Sequence, residues 1–258
     1  MPKFAANLSL LFTEVPFLDR FEKAHAAGFK AVECQFPYDF KPQELAQKLH
    51  QYNLQQVLFN MPPGDRSAGE YGFAALPGRT DDFLRSQEIS MEYARALNCK
   101  KIHLMSGIVD KSYSRDEHIK VFIQNVRTAA DAFAEFGIEV MIEPLNSADV
   151  PNYFIAHQRE AADLINKIER PNVKLQFDFY HAQIMDGNLT RLIQDLGSCI
   201  GHVQIASVPE RHEPFDGALD YPHLFTALKE SGYDDWIGCE YNPRNSTEEG
   251  LSWANPYL

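Results

Sequence analysis

The chain has 258 residues, 45% hydrophobic and 23% charged. This is ordinary globular usage and excludes a disordered, collagen-like or coiled-coil protein. Lys and Arg number 24 against 36 Asp and Glu, a formal net charge of −12, so the chain repels phosphate backbones and nucleic acid is not an expected partner.

A first strand is predicted at FAANLS from Phe4, followed by KAVECQF from Lys30, LQQVLFN from Leu54 and KIHLMSG from Lys101. The second half continues with IEVMIEP from Ile138, VKLQFDF from Val173, GHVQIAS from Gly201 and WIGCEYN from Trp236. Helical stretches separate them. The clearest runs from Arg115 to Phe136, where Ile119, Phe122, Ile123, Val126, Ala130 and Phe133 follow helical spacing. Gly28, Asn53, Asn98, Gly137, Asn172, Gly201 and Gly232 are read as helix stops ahead of strands, since Gly and Asn tolerate the left-handed conformation that ends helices. Eight strand–helix units with parallel crossovers predict an α/β fold, a single (β/α)8 TIM barrel over residues 1–258. A doubly wound open sheet is the alternative; it wants a glycine-rich turn after the first strand, and NLSLLFTEVPF has no glycine. The segment 61–79, MPPGDRSAGEYGFAALPGR, is too long for a plain connection and reads as a lid over the C-terminal face.

No apolar run reaches the roughly 18 residues of a membrane span, and the N-terminus lacks the apolar core and cleavage site of a signal peptide. Cys34, Cys99, Cys199 and Cys239 are far apart and form no C-x-x-C pair. They read as reduced thiols in a cytoplasmic protein.

Barrel enzymes work at the C-terminal ends of their strands. There the second half offers Glu143, Asp178, Gln204 and Glu240, each closing an apolar run. Any one acid at a strand end is as readily a helix cap or an ion-pair partner; four in one register are not. Three carboxylates on one rim repel unless protonated or bridged by a cation, and an oxygen donor set without thiolates suits Mg²⁺, or Mn²⁺, better than zinc. His181, three residues after Asp178, is read as orienting a substrate oxygen or moving a proton. Arg211 is read as a fork for a substrate carboxylate, with His212 beside it. Glu33 is read as structural, His103 as a packed core histidine, and Asn7 as a pocket wall.

These residues, with FNMPPGD, ALPGR, IEPLN, FDFYHAQ, DGNL, HVQIASVPERHEP and WIGCEY, closely resemble the hydroxypyruvate isomerase family of the xylose isomerase-like barrels, over nearly the whole chain. The resemblance implies Glu143 and Glu240 as the proton donor and acceptor pair and Glu143, Asp178, Gln204 and Glu240 as a Mg²⁺-type site. Related sugar epimerases usually carry a histidine where this chain has Gln204. Many family members read EPLN-x-R-D where this chain has Ala148 in the arginine's place. The family interconverts either hydroxypyruvate and tartronate semialdehyde, or the 2-oxo and 3-oxo forms of a four-carbon tetronate. The N-terminal and loop text resembles the tetronate group. The expected partner is therefore a small hydroxy-oxo acid, with a homo-oligomer compatible. A sugar or sugar-acid 3-epimerase or dehydratase on the same scaffold, a barrel endonuclease, and a non-catalytic sugar-acid-binding protein are the rival readings.

Overall fold

The computed structural model describes residues 1–258. Eight strands close in sequence order into a barrel: β1 (Lys3–Asn7), β2 (Ala31–Cys34), β3 (Gln55–Asn60), β4 (Lys101–His103), β5 (Glu139–Ile142), β6 (Val173–Asp178), β7 (Ile200–Ile205) and β8 (Trp236–Cys239). Every neighbouring pair is parallel, including β1 with β8. The helices are α1 (Arg20–Ala26), α2 (Pro42–Gln51), α3 (Thr80–Leu97), α4 (Arg115–Ala134), α5 (Gln158–Ile168), α6 (Phe179–Met185), α7 (Leu189–Leu196), α8 (Tyr221–Glu230) and α9 (Thr247–Gly250). All eight predicted strands are present, and the predicted 115–136 helix is α4. Ser114 and Glu117 start it as a reciprocal capping box.

The helix stops divide. Gly28, Asn53, Asn98, Gly137 and Gly232 do take positive φ. Asn172 and Gly201 do not. α5 ends instead on Glu169 in the left-handed conformation, Asn172 ties its amide to the carbonyls of Ala130 and Ile138, and Gly201 lies within β7. A side chain at Gly201 would meet Lys174 Cβ at 2.5 Å, so this glycine answers to packing and not to a turn.

The interior is built in layers. Ala5, Ala31, Val57, Leu58 and Met141 form a small apolar plug inside the barrel, separate from the large core between strands and helices. Above it the register aligns Asn7 with Glu33, Gln176 with His202, Asp178 with Gln204 and Gln204 with Gly238. Side chains in register share a face, so this layer turns polar groups inward, directly under the strand ends.

Candidate active site

Each strand-end acid has a different environment. Asp178 is the N-cap of α6: its Oδ1 accepts the Tyr180 backbone N–H at 2.8 Å. The cap reading therefore holds for one oxygen, while Oδ2 is buried with no hydrogen-bond partner. Glu143, just beyond β5, also leaves Oε1 buried and unpartnered. Its Oε2 lies 3.2 Å from His103 Nδ1, without hydrogen-bond geometry. Glu240, just beyond β8, accepts from Arg211 Nη2 at 2.8 Å, from Gln35 Nε2 at 3.0 Å and from Asn7 Nδ2 at 3.3 Å.

Burial sets the electrostatics. It raises the Glu143 carboxyl well above the ordinary range, with the negative neighbours Glu240 and Asp178 adding to the effect. Burial raises Asp178 and Glu240 as well, and Arg211 opposes the rise in both. Arg211 is one monovalent cation among three carboxylates: Nη2 also lies 3.6 Å from Asp178 Oδ2. Its guanidinium sits over the Tyr180 ring at 4.8 Å, and its Nε is buried without a partner. The residue has φ +57°, a left-handed conformation unusual for a non-glycine residue. Backbone hydrogen bonds from Arg211 to Ser207 and from Asn242 to Arg211 hold it there.

His181 carries a readable tautomer. The Asn146 backbone N–H, which can only donate, points at its Nδ1 at 3.1 Å, and the Asn146 side-chain amide approaches the same atom at 2.7 Å. Burial pushes the imidazole pKa well below its usual value, with Arg211 and His103 adding to the effect, so the ring is neutral and its proton sits on Nε2. Nε2 lies 3.6 Å from Asp178 Oδ2. One ligand atom each from Glu143, Asp178 and His181 lies within 4.8 Å of the other two, a group of the kind that holds a divalent metal. A protonated Nε2 is a hydrogen-bond donor and not a ligand, which leaves the carboxylates as the cation-binding part. Asn146→Ala removes the side-chain half of this tautomer lock. The expected result is a kcat lower by about tenfold, together with a shift of the His181 ring signals in ¹⁵N NMR. Unchanged ring signals would count against the lock.

A cleft of about 410 Å³ opens over these groups. Glu143, His181, Arg211 and Glu240 line it, as do Gln35, His103, Asn60 and Asn242. Asp178 and Gln204 lie just behind the wall, each 1% exposed. The Gln204 amide donates Nε2 to Glu33 Oε1 at 2.8 Å and accepts at Oε1 from Gln176 at 2.7 Å, which leaves one oxygen lone pair for another partner. His212 is not among the residues that line the cleft; its Nδ1 lies 2.7 Å from the Asn242 carbonyl.

Three contributors escape a reading of the sequence. His103 is 1% exposed, lines the cleft and has both ring nitrogens unpartnered; burial lowers its pKa to about 3. Glu33 lies at the centre of the polar layer, accepting from Asn7 and Gln204 and lying 2.7 Å from His202 Nε2. Asn146 closes the IEPLN segment and turns both its backbone and its side-chain N–H groups toward His181 Nδ1.

The family model for xylose isomerase-like TIM barrels matches residues 21–257. The chain is 54% identical to a 2-oxo-tetronate isomerase of Pectobacterium atrosepticum, covering 100% of this chain and 98% of that one. It is 42% identical to the hydroxypyruvate isomerase of Escherichia coli, covering 100% of both. A crystal structure from Brucella melitensis described as an AP endonuclease of family 2 superposes with a TM-score of 0.98 at 55% identity, covering 100% of this chain and 99% of that one.

Proposed function

The chain belongs to the hydroxypyruvate isomerase family of xylose isomerase-like TIM barrels, and on that footing we propose that it interconverts 2-oxo-tetronate and 3-oxo-tetronate, with hydroxypyruvate and tartronate semialdehyde as the alternative pair. That it is an isomerase follows from its full-length relatives; the substrate and the roles of the residues are the proposal. The observation that carries it is the mouth itself, where three buried carboxylates face one guanidinium and two carboxylate oxygens, Glu143 Oε1 and Asp178 Oδ2, accept no hydrogen bond. Buried carboxylates without partners are costly, and that donor set fits a hard divalent cation.

Glu143, Asp178 and Glu240, with Gln204, would hold Mg²⁺ or Mn²⁺. When bound, such a cation supplies a Lewis acid that stabilises an ene-diolate. The chain's own groups do the rest. One of Glu143 and Glu240 takes the proton from C3 of the 2-oxo acid and the other delivers a proton to C2, while the proton of the C3 hydroxyl passes to the oxygen on C2, so the carbonyl moves by one carbon with no net loss or gain of atoms. Two carboxylates are needed because the two carbons exchange protons separately. His181 Nε2–H and Arg211 Nε–H donate to substrate oxygens and fix which carbons face the glutamates. The 61–79 segment limits access of water to the intermediate. A cytoplasmic setting fits four free cysteines, three of them buried. No helix is long and apolar enough to cross a membrane.

Incubation with each 2-oxo acid in deuterated water, followed by NMR, tests the reading. The expected product is the shifted ketone carrying deuterium at the newly protonated carbon. Full retention of substrate hydrogen would point to a hydride shift. Inversion at C3 without carbonyl movement, or loss of water, would support an epimerase or dehydratase. Chelation provides a second test. EDTA is expected to lower activity at least tenfold and to lower the melting temperature, and Mg²⁺ is expected to restore both, because a ligand of the native state stabilises it. Activity and melting that ignore the chelator would remove the cation from the proposal.

A further inference from the structure

The substrate proposed above is an anion, yet the cleft is lined by four carboxylates, Glu143, Asp149, Glu210 and Glu240, and by only two full cations, Arg66 and Arg211. Arg211 is already engaged. Its Nη2 is 2.8 Å from Glu240 and 3.6 Å from Asp178, and Nη1 is 4.0 Å from Asp149. A carboxylate taking over that fork would strip Glu240 of its cation. Arg66 has no acidic partner. Its side-chain hydrogen bond goes from Nη2 to the Tyr71 hydroxyl at 3.0 Å, and its guanidinium lies over the rings of Tyr71 at 4.1 Å and Phe36 at 5.6 Å.

The segment carrying Arg66 is held in place. Asp65 Oδ1 accepts from the Ser67 backbone and hydroxyl at 2.9 and 2.6 Å, the Asp65 backbone N–H donates to Glu70 at 2.6 Å, and Glu70 pairs with Arg79 at 2.7 Å. Gly72 (φ +96°) packs so closely on β4's exit that a Cβ would meet the Met105 carbonyl oxygen at 2.3 Å. Beyond the Tyr71 hydroxyl the guanidinium makes no side-chain hydrogen bond, so the N–H groups of Nε and Nη1 are left for a carboxylate.

We infer that Arg66 is the specificity determinant of this site: it takes the carboxylate of the substrate, while Arg211 serves Glu240 and Asp178. This rests on the isomerase reading for its substrate, and on the distribution of ion pairs for its assignment. It also places selection for acids over neutral sugars in the 61–79 segment, away from the groups that move protons.

The test compares Arg66→Met and Arg66→Lys with the unaltered enzyme in two assays. The first is turnover of 2-oxo-tetronate and of hydroxypyruvate. The second is calorimetric binding of threonate, a four-carbon acid with no carbonyl to isomerise. Arg66→Met is expected to raise KM and the threonate Kd about 10- to 100-fold, the loss of a charge-assisted pair. kcat should stay within about threefold, because the residue meets no reacting carbon. Arg66→Lys is expected to recover part of the loss, and added salt should weaken threonate binding to the unaltered enzyme more than to Arg66→Met. Unchanged KM and Kd in Arg66→Met would overturn the assignment while leaving the isomerase intact. A protein that turns over neither acid yet binds threonate in an Arg66-dependent way would keep the assignment and overturn the substrate. Failure of the unaltered enzyme to bind or turn over any of the three acids would overturn both.

Discussion

Replacing either Glu143 or Glu240 with glutamine is expected to lower kcat by about 10³-fold, within the 10²–10⁴ range of general acid–base contributions. The amide keeps the shape of the carboxylate and cannot accept the proton, so the fold should stand while the chemistry stops. The two variants are not expected to be equivalent. Glu240 is held by Arg211, Gln35 and Asn7, whereas Glu143 keeps an unpartnered oxygen. Glu240→Gln therefore also leaves the Arg211 guanidinium short of an acceptor and should alter substrate affinity more. Deuterium exchange separates the two roles. The variant that retains the base for C3 should still wash the substrate's own C–H into deuterated water without forming product, and the other should do neither. More than a tenth of normal kcat in either variant would end the two-glutamate account.

Much of this site is legible in the sequence because its parts close strands. An apolar run that ends on an acid marks both a strand and its C-terminal end, and three such acids, Glu143, Asp178 and Glu240, meet around Arg211 once the barrel closes. Asp178 and His181 are also legible as a pair, the N-cap of α6 and a residue of its first turn three positions on. What escapes is whatever depends on closure itself. Glu33 meets His202 and Gln204, residues 169 and 171 positions away, across the barrel interior, and no local pattern announces that contact. Glu33 looks like an acid stranded in an apolar strand until the opposite wall supplies its partners. Adjacency in sequence is a weaker guide: His212 follows Arg211, but only Arg211 lines the cleft, and the His212 ring lies against the Asn242 carbonyl. Arg66 lies in a segment with no periodicity, so its place on the cleft wall follows only from the path of the loop.

The second large effect is expected at Gly238, in the middle of β8. A Cβ there would lie 2.3 and 2.4 Å from the two carboxylate oxygens of Glu33, and Glu33 is fully buried with Asn7, His202 and Gln204 around it. It has nowhere to retreat without breaking those contacts. Gly238→Ala is therefore expected to destabilise the protein by roughly 2–3 kcal/mol, about 5–10 °C in Tm. It should also lower activity, since Asn7 bonds both Glu33 at 2.9 Å and Glu240 at 3.3 Å. Glu33→Ala alone should be costly by a different route, because it strands the donors of Asn7 and Gln204 in a dry interior. The pair then makes a sharp prediction. With the carboxylate removed, the methyl at 238 enters the space it vacated, so Glu33→Ala/Gly238→Ala should be no less stable than Glu33→Ala, giving a coupling about as large as the single Gly238→Ala cost. Additive melting losses would mean that the glycine is required for a reason other than the carboxylate facing it, and that the polar layer does not hold the Glu240 carboxylate in the way these contacts imply.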